Sequence, residues 1–249
     1  MRQYNLDFID SDDLFHHVRE TVLQYRFEID LEKFNSSLVD PIKLTFDSLV
    51  YRTSVEQTVQ REIARQLDKS NNNHIGYFHQ NIFHYIGGDK WFVPQEGFDI
   101  VNPAKQIFVE LKNKHNTMNH RSSKSTFIKM QHTIMKNPNA TCMLVEIISK
   151  SSQDKPWEKK VDGEVISDSR IRKLSADQFY KIVTGVDDAF AQLCKVLPIV
   201  IGDVVNSHEL PHSSNTVLIE LKKKSPKLLN SLFLFTFKQY EGFEEFDVE

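Results

Sequence analysis

Glycine and proline are scarce. Each occurs 8 times in 249 residues, too few for a linker-rich array or a disordered chain. There are 2 cysteines, Cys142 and Cys194, far apart and each inside an apolar run. That argues against a structural zinc site built on thiolates and predicts two buried free thiols in a reducing compartment. No run reaches the ~18 consecutive apolar residues of a membrane span. The opening stretch "MRQYNLDFIDSDDLF" lacks the basic-then-apolar order of a signal peptide. A cytoplasmic chain with no membrane partner is expected. A glycine-rich phosphate loop is also missing, which argues against ATP-driven translocation by this chain. There is no internal repeat and no low-complexity segment.

A basic surplus is missing too. The formal net charge is −3, which at first sight disfavours a polyanionic ligand. The average hides a segregation. Met1 to Ser48 holds 10 Asp+Glu against 5 Lys+Arg, whereas Lys105 to Lys136 holds 7 Lys+Arg against the single Glu110. The last 9 residues, "EGFEEFDVE", carry 5 acids and no base. A basic patch beside an acidic remainder suits a polyanion held at one place. A solvated basic helix face would explain the clustering alone equally well.

What is present is ordinary globular composition, 40% hydrophobic and 26% charged. Residues 10–50 read as helices broken near Pro41. "SVEQTVQREIARQLDKS" is a helix with Val55, Val59, Ile63 and Leu67 on one stripe, broken at Asn71 to Asn73. "IGYFHQNIFHYI" is another, stopped by Gly87-Gly88. The period then changes. "GFDIVNP" is a short strand, and Asn102 to Lys105 suit a hairpin connection. In "KQIFVELKNK" Ile107, Val109 and Leu111 face one way and Phe108, Glu110 and Lys112 the other. "KSTFIKMQHTIMKN" is helical, and "ATCMLVEIIS" is a strand covered on both faces. "SSQDKPWEKKVDGEVISDSRIRK" reads as a loop or peripheral hairpin. Two helices follow, "SADQFYKIVTG", capped by Ser175 and ended by Gly185, and "VDDAFAQLCKVL". "NTVLIELKKK" and "SLFLFTFKQY" read as late strands. The expectation is an α/β (α+β) fold, a central mixed sheet flanked by helices, in a single domain over 1–249. Residues 1–70 form its helical N-terminal part, 71–150 its core, and 151–249 the helices and strands that complete the sheet and serve recognition.

Two positions apart on a strand, Glu110 and Lys112 share a face and can address one substrate together. Asp99, on the preceding strand, has Phe98 and Ile100 pointing away from it. An Asp and a Glu converging from neighbouring strands make an all-oxygen site that suits Mg2+, and the carbonyl of Leu111 can add an oxygen. The ion would lower the pKa of a water and neutralise phosphate charge. Lys112 would orient that water and stabilise the growing charge. A lone E-x-K is usually a rim salt bridge, and the chain has a second copy, Glu220 and Lys222 in "IELKKK", with Asp203 upstream. The first copy differs in context: an acid-bearing strand, a turn, an alternating strand, a basic helix, then an apolar strand.

"GFDI" followed by "VELKNK" resembles the PD-(D/E)XK nuclease superfamily, whose core is helix, hairpin strands, helix, strand. The longer string "ELKNKHNTMN", with "IGYFHQ" before it and "KLSADQFYKIVTG" after it, resembles type II restriction endonucleases, near the group that cuts GG-any-CC or GG-(A/T)-CC sites. The resemblance covers Gly76 to Pro198. It implies Asp99 and Glu110 as metal ligands and Lys112 as the catalytic lysine. It further implies double-stranded DNA as substrate and a partner methyltransferase that protects the host's sites. Cutting both strands of a near-palindrome calls for a homodimer. There are two departures. Phe98 stands where the superfamily pattern has Pro. Four residues after Gly76 comes Gln80, where many members have Glu. An amide adds no charge, so Glu56 or Glu62 are alternative third groups.

Donor-rich residues past the strand, Asn113, Lys114, His115 and Asn116, suit phosphate or base contact. Arg121 and Lys124, with Lys129, extend the basic surface along the next helix. Arg170 and Arg172, on one face if extended, have forks that fit guanine O6 and N7. His16, His17, His79 and His84 lack zinc spacing and read as packing or solvent-facing residues. Two further readings stand beside the site-specific nuclease: a repair or structure-selective nuclease of the same fold, and a non-catalytic DNA-binding protein whose acids form only an ion pair.

Overall fold

The computed structural model describes residues 3–87, 90–161, 164–211, 214–240, 243 and 246–248. The elements in chain order are α1 (Ser11–Leu23), β1 (Glu28–Ile29), α2 (Leu31–Ser36), α3 (Pro41–Val50), α4 (Val55–Asn81), β2 (Ile100–Asn102), β3 (Ile107–Lys114) and α5 (His120–Lys136). There follow β4 (Thr141–Ile148), β5 (Asp154–Pro156), β6 (Lys159–Val161), β7 (Glu164–Ile166), β8 (Ile171–Ser175), α6 (Ala176–Thr184), α7 (Ala189–Ser207), β9 (Ser214–Asn215), α8 (Val217–Lys224) and α9 (Leu228–Phe237). They group into two compact units. One contains residues 1–23 and 75–209, the other 24–74 and 210–249.

The first unit is built on a five-stranded mixed sheet in the order β2-β3-β4-β8-β5. β3, β4 and β8 run parallel, and β2 and β5 are antiparallel edges. This is the mixed sheet flanked by helices that the sequence predicts. Alternation divides its residues between two cores. Ile100, Val109, Met143, Val145 and Leu174 face a cluster completed by Leu14 and Val18 of α1, Phe179 and Tyr180 of α6, and Leu193, Val200 and Val204 of α7. Phe108, Cys142, Leu144 and Ile171 face Phe127, Met130 and Ile134, the i, i+3, i+7 stripe of α5. β4, sealed on both sides, is the buried central strand.

The β2–β3 hairpin has a local cause. Asn102 accepts a hydrogen bond from the Lys105 amide at 3.1 Å, an Asx-type turn, and Gln106 adopts φ 52° to close it. The residues before β2 form a bend, so the strand begins at Ile100 and Asp99 sits just ahead of it. Phe98 does not point away from the acids. It packs on Phe108 with ring centroids 5.4 Å apart, on the α5 side of the sheet.

The second unit packs Phe34, Leu44, Val59, Ile63, Val217, Leu221 and Leu232 around its own core. Here two sequence expectations fail. "NTVLIELKKK" and "SLFLFTFKQY" are helices α8 and α9, not strands. Their apolar runs are short, and periodicity alone does not separate a buried strand from a buried helix at that length. Helix α4 also continues unbroken through Asn71–Asn73; asparagine is a weak helix former, not a breaker.

Other boundaries follow their residues. Pro41 opens α3 beneath an Asp40 cap. Ser175 stands at the N-cap of α6, and Gly185, at φ 77°, ends it. Gly87 is left-handed after the 3-10 turn Ile82–His84, and Gly88 lies outside the described residues. The segment after β4 is more ordered than a loop: β5 joins the sheet, and β6–β7 make the peripheral hairpin. α7 runs through Pro198 to Ser207 and, at 19 residues, reaches the length and mean hydropathy of a membrane span, although it contributes Leu193, Val200 and Val204 to the first core. Cys142 is buried as expected, but Cys194 is exposed on α7, and both thiols are free.

Candidate active site

The hairpin brings Asp99 opposite Glu110. Ile100 pairs with Val109, so the residue before one meets the residue after the other on the same sheet face. Oδ2 of Asp99 accepts the Leu111 amide at 2.7 Å. Lys112 donates to Oε1 of Glu110 at 2.8 Å and lies 3.9 Å from Oδ2 of Asp99. Both carboxylates therefore stand within 4 Å of one ammonium. Gln80, from the end of α4, donates to the backbone carbonyl of Asp99 at 3.3 Å. Leu111 contributes its amide to Asp99.

A second lysine enters from the helix. Lys129 of α5 donates to Oε2 of Glu110 at 2.9 Å and to the Gly97 carbonyl at 2.7 Å, with its ammonium 4.1 Å from the centre of the Phe98 ring. The two acids diverge electrostatically as a result. Burial pushes the Asp99 carboxyl above its ordinary value, and the charge on Glu110 adds to this against the Leu111 hydrogen bond and the lysines. Burial also pushes Glu110 upward, but hydrogen bonds from Lys112 and Lys129 outweigh it and hold that carboxyl below its ordinary value.

A divalent cation fits this donor set. Two carboxylates converge, and the protein already crowds them with positive charge, which is the sign a bound metal would bring. No group of three or more His, Cys, Asp or Glu side chains clusters to hold a metal among the described residues. Any ion here would rest on the acid pair with backbone or water oxygens, as magnesium sites do.

The other expected residues fall in distinct places. Asn113 and Lys114 end β3, His115 and Asn116 follow at the same end of the sheet, and Arg121 and Lys124 lie in the first turns of α5. His115 touches the Ile148 carbonyl, 3.3 Å from Nδ1. Arg170 lies at the opposite, N-terminal end of the parallel strands, where its fork holds Asp168 and the Pro138 carbonyl. Arg172 projects from the other sheet face, since it pairs with Met143, and is bonded to Asp154. Glu56 and Glu62 belong to the second unit. Glu56 pairs with Lys222, and Glu62 with Arg65 and Gln66. The second Glu-Leu-Lys copy lies on helix α8, where residues two apart point to different sides.

In the sequence Lys129 reads only as surface charge. Its neighbours Phe127 and Met130 anchor α5, but nothing in helical periodicity shows which flank of the stripe meets Glu110. Glu146 does carry a sequence signal, as a lone acid inside the buried strand "TCMLVEII".

The five-stranded mixed sheet flanked by helices is consistent with a restriction-endonuclease-like α+β fold. Comparison with known proteins is consistent with that class. The model of the family described as Eco47II restriction endonuclease matches residues 6–206. The type II restriction enzyme Sau96I of Staphylococcus aureus is 34% identical over 221 residues, covering 84% of this chain and 85% of the relative. The type II restriction enzyme Eco47II of Escherichia coli is 28% identical over 206 residues, covering 78% and 85%. The chain belongs to the Eco47II restriction endonuclease family and is a type II restriction endonuclease, a site-specific deoxyribonuclease.

Proposed function

We propose that the chain hydrolyses phosphodiester bonds in double-stranded DNA at a PD-(D/E)XK centre in which Asp99 and Glu110, with the Leu111 carbonyl, hold Mg2+ and Lys112 is the catalytic lysine. The observation that carries this is the convergence of both carboxylates on one ammonium. When bound, the ion supplies Lewis acidity and neutralises charge on the phosphate. Lys112 stabilises the negative charge that grows on the phosphate oxygens as water attacks phosphorus and the 3′-oxygen leaves. The Leu111 amide and the Gln80 amide fix Asp99, and Lys129 orients Glu110.

The finer reading is a short GG-N/W-CC-like site, a homodimer presenting two centres to a two-fold sequence, and a cognate methyltransferase acting on the same site; the resemblance of "ELKNKHNTMN" to type II restriction endonucleases supports it. Asn113, Lys114, His115, Asn116, Arg121 and Lys124 are the proposed DNA contacts. Arg170 and Arg172, if they read bases, must first leave Asp168 and Asp154. The test is plasmid cleavage with Mg2+, followed by sequencing of the fragment ends. Asp99→Asn and Lys112→Ala are expected to abolish cutting while retaining specific binding. Undiminished cutting by either variant overturns the assignment.

A further inference from the structure

Beside the acid pair, on the same sheet face, lies an open cavity of about 920 Å³. The pairing Lys112↔Glu146, Leu144↔Lys173, Lys155↔Lys173 carries that face from Glu110 and Lys112 across β4 and β8 to β5. The cavity is lined by His115 and Asn116 after β3, by Lys150 after β4, by Lys155 on the edge strand, and by Glu146 and Lys173. Its size falls within the range that encloses a nucleotide-sized ligand.

The floor is a built network. Glu146 is 1% exposed, and its carboxylate meets Lys173 Nζ at 2.7 Å. Ser149 donates to its other oxygen at 3.4 Å and accepts from Gln153 at 2.7 Å. A buried charge is retained only when paired and hydrogen-bonded, so this chain holds Lys173 in place and points its ammonium into the cavity wall. Trp157, edge-on to Phe127 at 5.3 Å, stiffens the far side. Above the floor Lys150 and Lys155 are exposed. Lysine at a nucleic-acid interface serves the backbone more than the bases.

We propose that this cavity seats a backbone phosphate of the DNA strand flanking the scissile bond, bound by Lys150 and Lys155 over the Glu146–Lys173 floor. β3 to β5 spans three strand spacings, roughly 14 Å, a reach of a few nucleotides. The inference rests on the nuclease reading of the Asp99–Glu110 centre.

The test uses the full chain in an Asp99→Asn background, so that a duplex carrying the mapped site stays whole. Binding is measured against salt, with and without Lys150→Ala/Lys155→Ala. The pair of substitutions is expected to lower affinity about tenfold and to make the slope of log K against log salt shallower by about 0.9, the change for one lost phosphate contact. Lys181→Ala, which removes a charge from α6, is expected to change neither. Duplexes carrying one neutral methylphosphonate at a time should then reveal a flanking position to which only the parent is sensitive. Unchanged affinity and slope overturn the proposal, as does an equal fall in Lys181→Ala. A loss that appears as altered base preference, with every methylphosphonate still felt, overturns the phosphate assignment. Cutting that persists in Asp99→Asn would instead refute the active-site reading, so the two failures are distinguishable.

Discussion

Lys129 and Glu110 meet across the α5–β3 packing, Nζ to Oε2 at 2.9 Å, while Lys112 takes the other oxygen. Each oxygen of Glu110 thus carries an ammonium group on one of its lone pairs. A divalent cation reaching Glu110 competes with both lysines for its negative charge. Lys129 is the freer of the two: its side chain is 37% exposed against 27% for Lys112, and it keeps the Gly97 carbonyl and the Phe98 ring when it lets go. At that exposure the ion pair is worth about 0.5–1 kcal/mol. Lys129→Met is therefore expected to bind Ca2+ roughly 2–5-fold more tightly without DNA, read by calorimetry, and Lys129→Arg to resemble the parent. A weaker Ca2+ affinity in Lys129→Met would show that its hold on Gly97, and through it on Asp99, dominates.

Asp99 carries a stability cost that its role explains. Burial raises its carboxyl above the ordinary value near 3.8, so folding favours the protonated form. The cost is present in full above the folded pKa and disappears as pH falls below the unfolded one. Asp99→Asn keeps an oxygen for the Leu111 amide and removes the charge. Its melting temperature at pH 7 is expected to equal or exceed that of the parent, with the two converging near pH 3. A clear drop at pH 7 would mean that attraction to Lys112 outweighs the burial cost.

Much of this site was legible because its signals are local. Strand alternation put Glu110 and Lys112 on one face, and an Asn-Pro turn folded Asp99 back against them. Gly185 ends α6 by its own left-handed backbone, and Ser175 stands at the N-cap, although its hydroxyl bonds Asp177 and the Gln153 carbonyl instead of a helix amide. What was not legible depends on tertiary placement. Phe98 turned toward Phe108 after a bend in which Gly97 adopts φ 95°; the glycine permits the bend, but the ring that Phe98 meets lies across the hairpin. Lys129 reached Glu110 because α5 docks at one particular rotation. "SLFLFTFKQY" became a helix because residues 24–74 offered it a helical surface to cover, which a local window does not contain.

The second Glu-Leu-Lys copy offers an internal control. Lys222 pairs with Glu56, and both side chains are about half exposed. Such a pair contributes under ~1 kcal/mol. Lys222→Met is expected to cut plasmid DNA within about twofold of the parent and to melt within a few degrees of it. Loss of cutting in a folded Lys222→Met protein would give the late copy a function that its helical setting does not suggest.

His79 should set an acid limit on the fold. Burial, with a smaller contribution from charge on His17, lowers its pKa from 6.5 to about 4. Its Nδ1 is buried with no hydrogen-bond partner. The folded state therefore holds His79 neutral where the unfolded state binds a proton. The sign follows: stability is full above about 6.5, falls as pH drops from there toward 4, and then levels off for this group. That lowering is on the order of 3 kcal/mol, a large share of the ~5–15 kcal/mol that a domain has. His17, lowered in the same direction by burial, adds to the trend. His79→Leu removes the titrating ring without adding a polar group. Melting temperatures at pH 8 and pH 5 are expected to differ clearly in the parent and much less in His79→Leu. Parallel losses in the two proteins would assign the acid sensitivity elsewhere.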